Sequence, residues 1–81
     1  MNWQDTTDKH FGANANGRRA VKLESNGKSS SVRSNAAGGY LLITADGLNG
    51  KSSDMYTVEV RSRQVFETWD EAITAGEAWI A

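Results

Sequence analysis

Cysteine is absent from the 81 residues, and that absence removes disulfides, thiolate zinc sites, iron-sulfur clusters and a cysteine nucleophile. Histidine is nearly absent. His10 stands alone, so the usual cluster of histidine metal ligands has no second member. Long apolar runs are missing too: nothing approaches the roughly 18 to 20 residues of a membrane span. The opening MNWQDTTDKH lacks the basic-then-apolar character of a signal peptide. These absences predict a soluble, unprocessed protein without membrane contact, and the lack of Cys is compatible with a reducing cytoplasm. A chain of this length suits one domain, residues 1–81, that buries roughly 60 to 65% of the surface its unfolded form exposes. Packing and hydrogen bonds must hold it together.

Charge is present but unevenly placed. The formal net charge is -1, yet residues 1–39 hold six Lys/Arg against Asp5, Asp8 and Glu24, and residues 40–81 hold three against seven carboxylates. The useful question is whether either sign gathers on one surface.

Periodicity and turn chemistry supply the elements. Asn2 as N-cap, Asp5 three residues on, then Trp3, Thr7, His10 and Phe11 at helical spacing, with Gly12 as a stop, predict a short N-terminal helix. Residues 19–34 predict a hairpin about Asn26-Gly27, the favoured pair for a type I′ turn. Its register sets Val21 against Val32 and Leu23 against Ser30 on an apolar face, with Lys22 against Ser31 and Ala20 against Arg33 on a lightly basic one. The run Ser29-Ser30-Ser31 predicts an edge strand. That edge leaves the oligomeric state as a monomer or an edge-paired homodimer. Tyr40–Thr44 is the most continuously apolar segment, expected to be central and buried on both sides. After a Gly- and Ser-rich link at Asp46–Asp54, alternation predicts a strand over Met55–Arg61. A tight connection at Ser62-Arg63 and a further short extended segment at Val65-Phe66 follow.

The closing segment predicts a helix. Thr68 and Glu71 form an S/T-x-x-E capping box. Trp69, Ala72, Ile73, Gly76, Trp79 and Ile80 then make one apolar stripe that must cover a sheet face. Gly76 on that stripe predicts a close approach of helix to sheet. The fold class is thus α+β, a four- or five-stranded antiparallel sheet with one C-terminal helix packed on one face and a short N-terminal helix.

Catalysis needs convergent groups with tuned proton affinities. One His, no Cys and scattered carboxylates predict a non-enzymatic protein without cofactor or metal. A lone His in a polar segment is more often a surface or capping residue than a base. Asp46, Asn49 and Asp54 lack the order and closing Glu of a calcium loop. The serines at 29–31 and 52–53 have no nucleophile-elbow context and are read as solubilising loop and edge residues. Gly47-Leu48-Asn49-Gly50 has the GxxG form of a nucleic-acid-gripping loop, though here it joins strands.

Two binding surfaces remain. Arg18, Arg19, Lys22, Lys28 and Arg33 fall on the hairpin, a basic ribbon able to follow phosphates unless it is only a solvated edge. Glu67, Asp70, Glu71 and Glu77 form an acidic stripe along the helix with none of the i, i+4 Lys partners of a merely solvated face.

Phe66-Glu67-Thr68-Trp69-Asp70-Glu71-Ala72, with Trp79 beyond, resembles the F-x-T-x-x-E-A…W pattern of the arm-binding domains of tyrosine recombinases, which implies DNA contact through the sheet. In size, Cys-free composition, antiparallel sheet and single packed helix, the whole chain resembles small phage-encoded inhibitors of the anti-CRISPR type. That likeness implies a compact cytoplasmic inhibitor that blocks a host protein or nucleoprotein complex, such as a CRISPR surveillance complex, by occupying one of its surfaces. A small nucleic-acid-binding module using the basic hairpin is the alternative.

Overall fold

The computed structural model describes residues 2–46 and 59–81. Five strands, β1 (Gln4–Asp5), β2 (Ala20–Ser25), β3 (Lys28–Ser34), β4 (Tyr40–Asp46) and β5 (Glu59–Phe66), form one sheet in chain order. All neighbours are antiparallel. A one-turn helix, α1 (Thr7–Phe11), lies between β1 and β2, and α2 (Trp69–Ile80) follows β5. The architecture is the α+β arrangement the sequence predicts.

The β2–β3 hairpin forms because Asn26 and Gly27 both accept positive φ, 55° and 76°, and this matches the right-handed twist of the flanking strands. The register is the expected one, with Val21 opposite Val32, Leu23 opposite Ser30 and Lys22 opposite Ser31. Thr68 caps α2: its side chain accepts from the Glu71 N–H at 3.2 Å and donates to Glu71 Oε1 at 2.9 Å. Two acidic residues occupy the first turn, where the helix dipole favours them.

Val21, Val32, Leu42 and Ala72 make the buried centre, and Trp3, Tyr40, Phe66, Trp69, Ile73 and Ala75 pack around it. The helix crosses β3 and β4 at the depth set by Gly76. A Cβ on Gly76 would lie 2.7 Å from the Trp3 ring, 3.2 Å from Ser30 Cβ and 3.3 Å from Leu42 Cδ1. Ser30, fully buried, donates its Oγ proton to the Gly76 carbonyl at 2.7 Å. Trp79 Nε1 donates to the Ala45 carbonyl at 3.3 Å, joining the end of the helix to β4.

Four expectations require correction. The N-terminal segment is not one helix: Gln4 and Asp5 pair with Lys22 and Val21, so Asn2 is no N-cap and the helix begins only at Thr7. Pairing wins because it carries Trp3 onto the Gly76 face, where its ring finds apolar partners. The serine-rich β3 is the middle strand, bonded on both sides, and Ser29 and Ser30 are buried. The small size of Ser30, on the core side, admits the helix, and the outer strands are β1 and β5. β4 is interior but not buried on both faces, since Leu41 and Ile43 are only half-buried. β5 runs unbroken through Ser62-Arg63, and a bulge opposite Thr44/Ala45 takes up an extra residue. Apart from Asp46, the link expected to run to Asp54 and the Met55–Val58 start of the alternating segment lie in residues 47–58, outside the described ones.

Gly76→Leu is expected to destabilise the fold by about 2 kcal/mol or more in urea unfolding, because overpacking outweighs the gain of about 1 kcal/mol in helix propensity. Ser30→Ala should cost about 1 kcal/mol, the net value of one buried hydrogen bond. An unchanged midpoint for either substitution would refute the close approach.

Candidate binding surfaces

The pleat sends alternate residues to opposite faces, and α2 covers the face that bears Val21, Ser30, Val32 and Leu42. The other face bears Lys22, Arg33, Leu41, Ile43, Arg63 and Val65. In one cross-strand row Arg33, Leu41 and Val65 are neighbours, and in the next Ser31, Ile43 and Arg63. Val65 is 53% exposed and Val60 46%, so aliphatic surface lies bare between the cations. Glu24 is the acid beside them and is engaged by Lys22 at 3.0 Å.

The five hairpin cations do not share this surface. Arg19 lies on the helix side, its guanidinium 4.2 Å from the centroid of the Trp69 ring, and Trp69 meets Tyr40 edge-on at 5.4 Å. Lys28 sits 4.9 Å from the centroid of the Trp79 ring and donates to the Trp79 carbonyl at 3.3 Å, where the positive charge suits a helix C-terminus. Arg19 and Lys28 thus hold the two ends of α2. Arg18, over the Phe11 ring at 5.4 Å, joins Lys22 and Arg33 on the open side. Arg63, outside the hairpin and so not expected in the basic group, stands two strands from Arg33, about 10 Å across the sheet. Its place depends on pairing β5 with β4, a register that no short turn in the sequence announces.

Among the acidic residues, Glu67, just before α2, and Asp70 and Glu71, in its first turn, are exposed. Glu77 is half-buried and accepts a hydrogen bond from Trp3 Nε1 at 3.1 Å, so part of its charge serves the packing of Trp3. Glu71 is partly occupied by the cap. Arg61, at the bulge, is held by Asp46 and Glu59 at 2.9 Å each, and the Asp46 bond first of all raises its pKa.

Electrostatic crowding shows at His10. Burial first, and then the positive charges of Arg33, Lys9 and Lys22, hold its imidazole below the ordinary value of 6.5. Asp5 moves down for the opposite reason, since its carboxylate accepts from the side chain and backbone N–H of Thr7 at 2.6 and 2.9 Å. No helix among the described residues is long and apolar enough to cross a membrane. Comparison with protein-family models, with curated proteins and with solved structures finds no match to this chain, so the functional reading rests on these surfaces.

A histidine whose folded-state pKa is depressed contributes stability that is present above pH 6.5 and lost as the pH falls through the folded value. His10→Gln should therefore flatten the pH dependence of the urea midpoint between about pH 8 and about pH 5. An unaltered slope would show that neither burial nor the neighbouring cations hold the His10 imidazole down.

Proposed function

We propose that this chain is a non-enzymatic interaction protein with a cytoplasmic site of action, and that it works by occupying a surface of a host nucleoprotein complex. This is the mode of action of small phage-encoded inhibitors of CRISPR surveillance complexes. The observation that carries the reading is the opposition of charge across one thin domain. Arg33 and Arg63 stand with Lys22 on the open sheet face, whereas Asp70 and Glu71 lie exposed in the first turn of α2, with Glu67 exposed just before it. A nucleoprotein complex presents both phosphates and the basic side chains that hold them. A domain with one face of each sign complements both, and long-range charge speeds its capture. The bare Val60 and Val65 add apolar area that becomes favourable once a partner excludes water from it.

The acidic side is the part that would compete with nucleic acid for a basic groove. Glu67, Asp70 and Glu71 take part in no ion pair among the described residues, so they are available to a cationic partner. The expected outcome is that cells with an active CRISPR system become permissive to a targeted phage when they express the chain, and that Glu67→Lys/Asp70→Lys abolishes protection of the phage while circular dichroism stays native. Undiminished protection by the double variant would remove the acidic face from the reading. A wild-type chain that neither protects phage nor binds the purified surveillance complex would end it.

A further inference from the structure

The segment after α1 returns to β2 alongside the β3–β4 turn, and a cleft of about 520 Å³ lies there, lined by His10, Phe11, Arg18, Arg33, Ser34 and neighbouring small residues. Three of the lining side chains are basic and none is a carboxylate. Arg18 is steadied by the face of Phe11, not by an anion, and among the described residues neither Arg18 nor Arg33 takes part in an ion pair. The polar neighbours are already occupied. Ser34 Oγ accepts from the Arg19 N–H at 3.0 Å, and Asn35 Nδ2 donates to the Gly38 carbonyl at 3.0 Å. What faces the cleft uncommitted is donor capacity and positive charge.

We propose that this cleft is a phosphate-binding site, with the guanidinium groups of Arg33 and Arg18 as its principal donors and His10 at its rim. Planar guanidinium groups match phosphate oxygens two at a time and keep their charge at every relevant pH. Gathering such groups without a counter-charge is unfavourable in the empty protein, and an oxyanion relieves it. At His10 burial first of all, and then Arg33, Lys9 and Lys22, disfavour the protonated form. Lys9 and, in part, Lys22, which also pairs with Glu24, carry positive charge beyond the cleft itself, a distribution suited to a chain of phosphates. The favoured source is therefore a nucleic acid strand, and that choice of source rests on the nucleoprotein reading above. The chemistry is shared by a backbone phosphodiester, a terminal phosphate and free phosphate.

The test uses the full chain and the resonances of its single histidine, titrated at matched ionic strength with inorganic phosphate, a 5′-phosphorylated oligonucleotide and the same oligonucleotide bearing a 5′-hydroxyl. A saturable shift with a raised His10 pKa is expected. Arg33→Ala and Arg18→Ala should each weaken binding by at least about tenfold, and Arg61→Ala, which removes a guanidinium already paired with Asp46 and Glu59 on the outer strand β5, should leave it nearly unchanged. Response to all three ligands identifies backbone phosphate as the source. Response only to the ligands carrying a free or terminal phosphate identifies that group instead. If Arg33→Ala loses its native circular dichroism, Arg18→Ala decides, because Arg18 is exposed and its removal should spare the fold. No saturable shift with any ligand, or equal weakening by Arg61→Ala, overturns the site. Phosphate binding by a chain that fails to engage the surveillance complex would leave the site standing and the proposed function refuted.

Discussion

The distance between α2 and the sheet is set where Gly76 meets Ser30, and most of the molecule depends on that contact. Without a side chain at 76, the helix backbone comes close enough for Ser30 Oγ to reach its carbonyl at 2.7 Å, and Leu42 and the Trp3 ring close in on either side. A larger residue on either partner would lift the helix from Val32 and Leu42 and open a gap that close-packed interiors do not tolerate. The same contact explains the middle position of a strand with three consecutive serines. Polar residues that are small and satisfied are cheaper at such a crossing than apolar ones too bulky to fit.

Seating the helix this closely also decides where the charges go. Two hairpin cations are drawn to the helix side by its tryptophans, Arg19 at Trp69 and Lys28 at Trp79, and each cation–π contact contributes about 0.5 to 1 kcal/mol at a partly exposed site. Of the remaining three, Lys22 and Arg33 are left on the face opposite α2 by the parity of the strands, and Arg18, ahead of β2, lies over the Phe11 ring. The polarity of the domain therefore follows from its packing. Asp70 and Glu71 lie on the outside of α2 because its inside is fully used, and Arg33 and Arg63 collect on the sheet face that α2 does not cover.

Much of this was legible in the sequence where local chemistry dominates. Asn26-Gly27 specified the hairpin and its register, and Thr68 with Glu71 specified the start of α2. The stripe from Trp69 to Ile80 also identified the buried residues. Positions governed by distant partners were not legible. Gln4-Asp5 pairs with β2 although the segment has helical spacing, because Trp3 gains a packed environment by that pairing. Ser30 looked like an edge residue, yet its parity with Val21 and Leu23 already placed it on the core side. Pairing a small core-side residue with Gly76 was the available signal. The binding surfaces divided in the same way: Glu67, Asp70 and Glu71 followed from helical spacing, whereas Arg63 and the grouping of His10 with Arg18 and Arg33 required the strand order and the path of the chain after α1.

The order of the strands has a consequence for how the molecule is made. Because each strand pairs with the next one along the chain, the sheet can zip up progressively as residues emerge during synthesis. Its core face gains no cover from that zipping. Val21, Val32 and Leu42 wait for Ala72 and its neighbours, which lie C-terminal to every strand. Until α2 docks, Val21, Val32 and Leu42 lack their cover, so the chain is most prone to aggregate in the interval between the pairing of its strands and the seating of the helix.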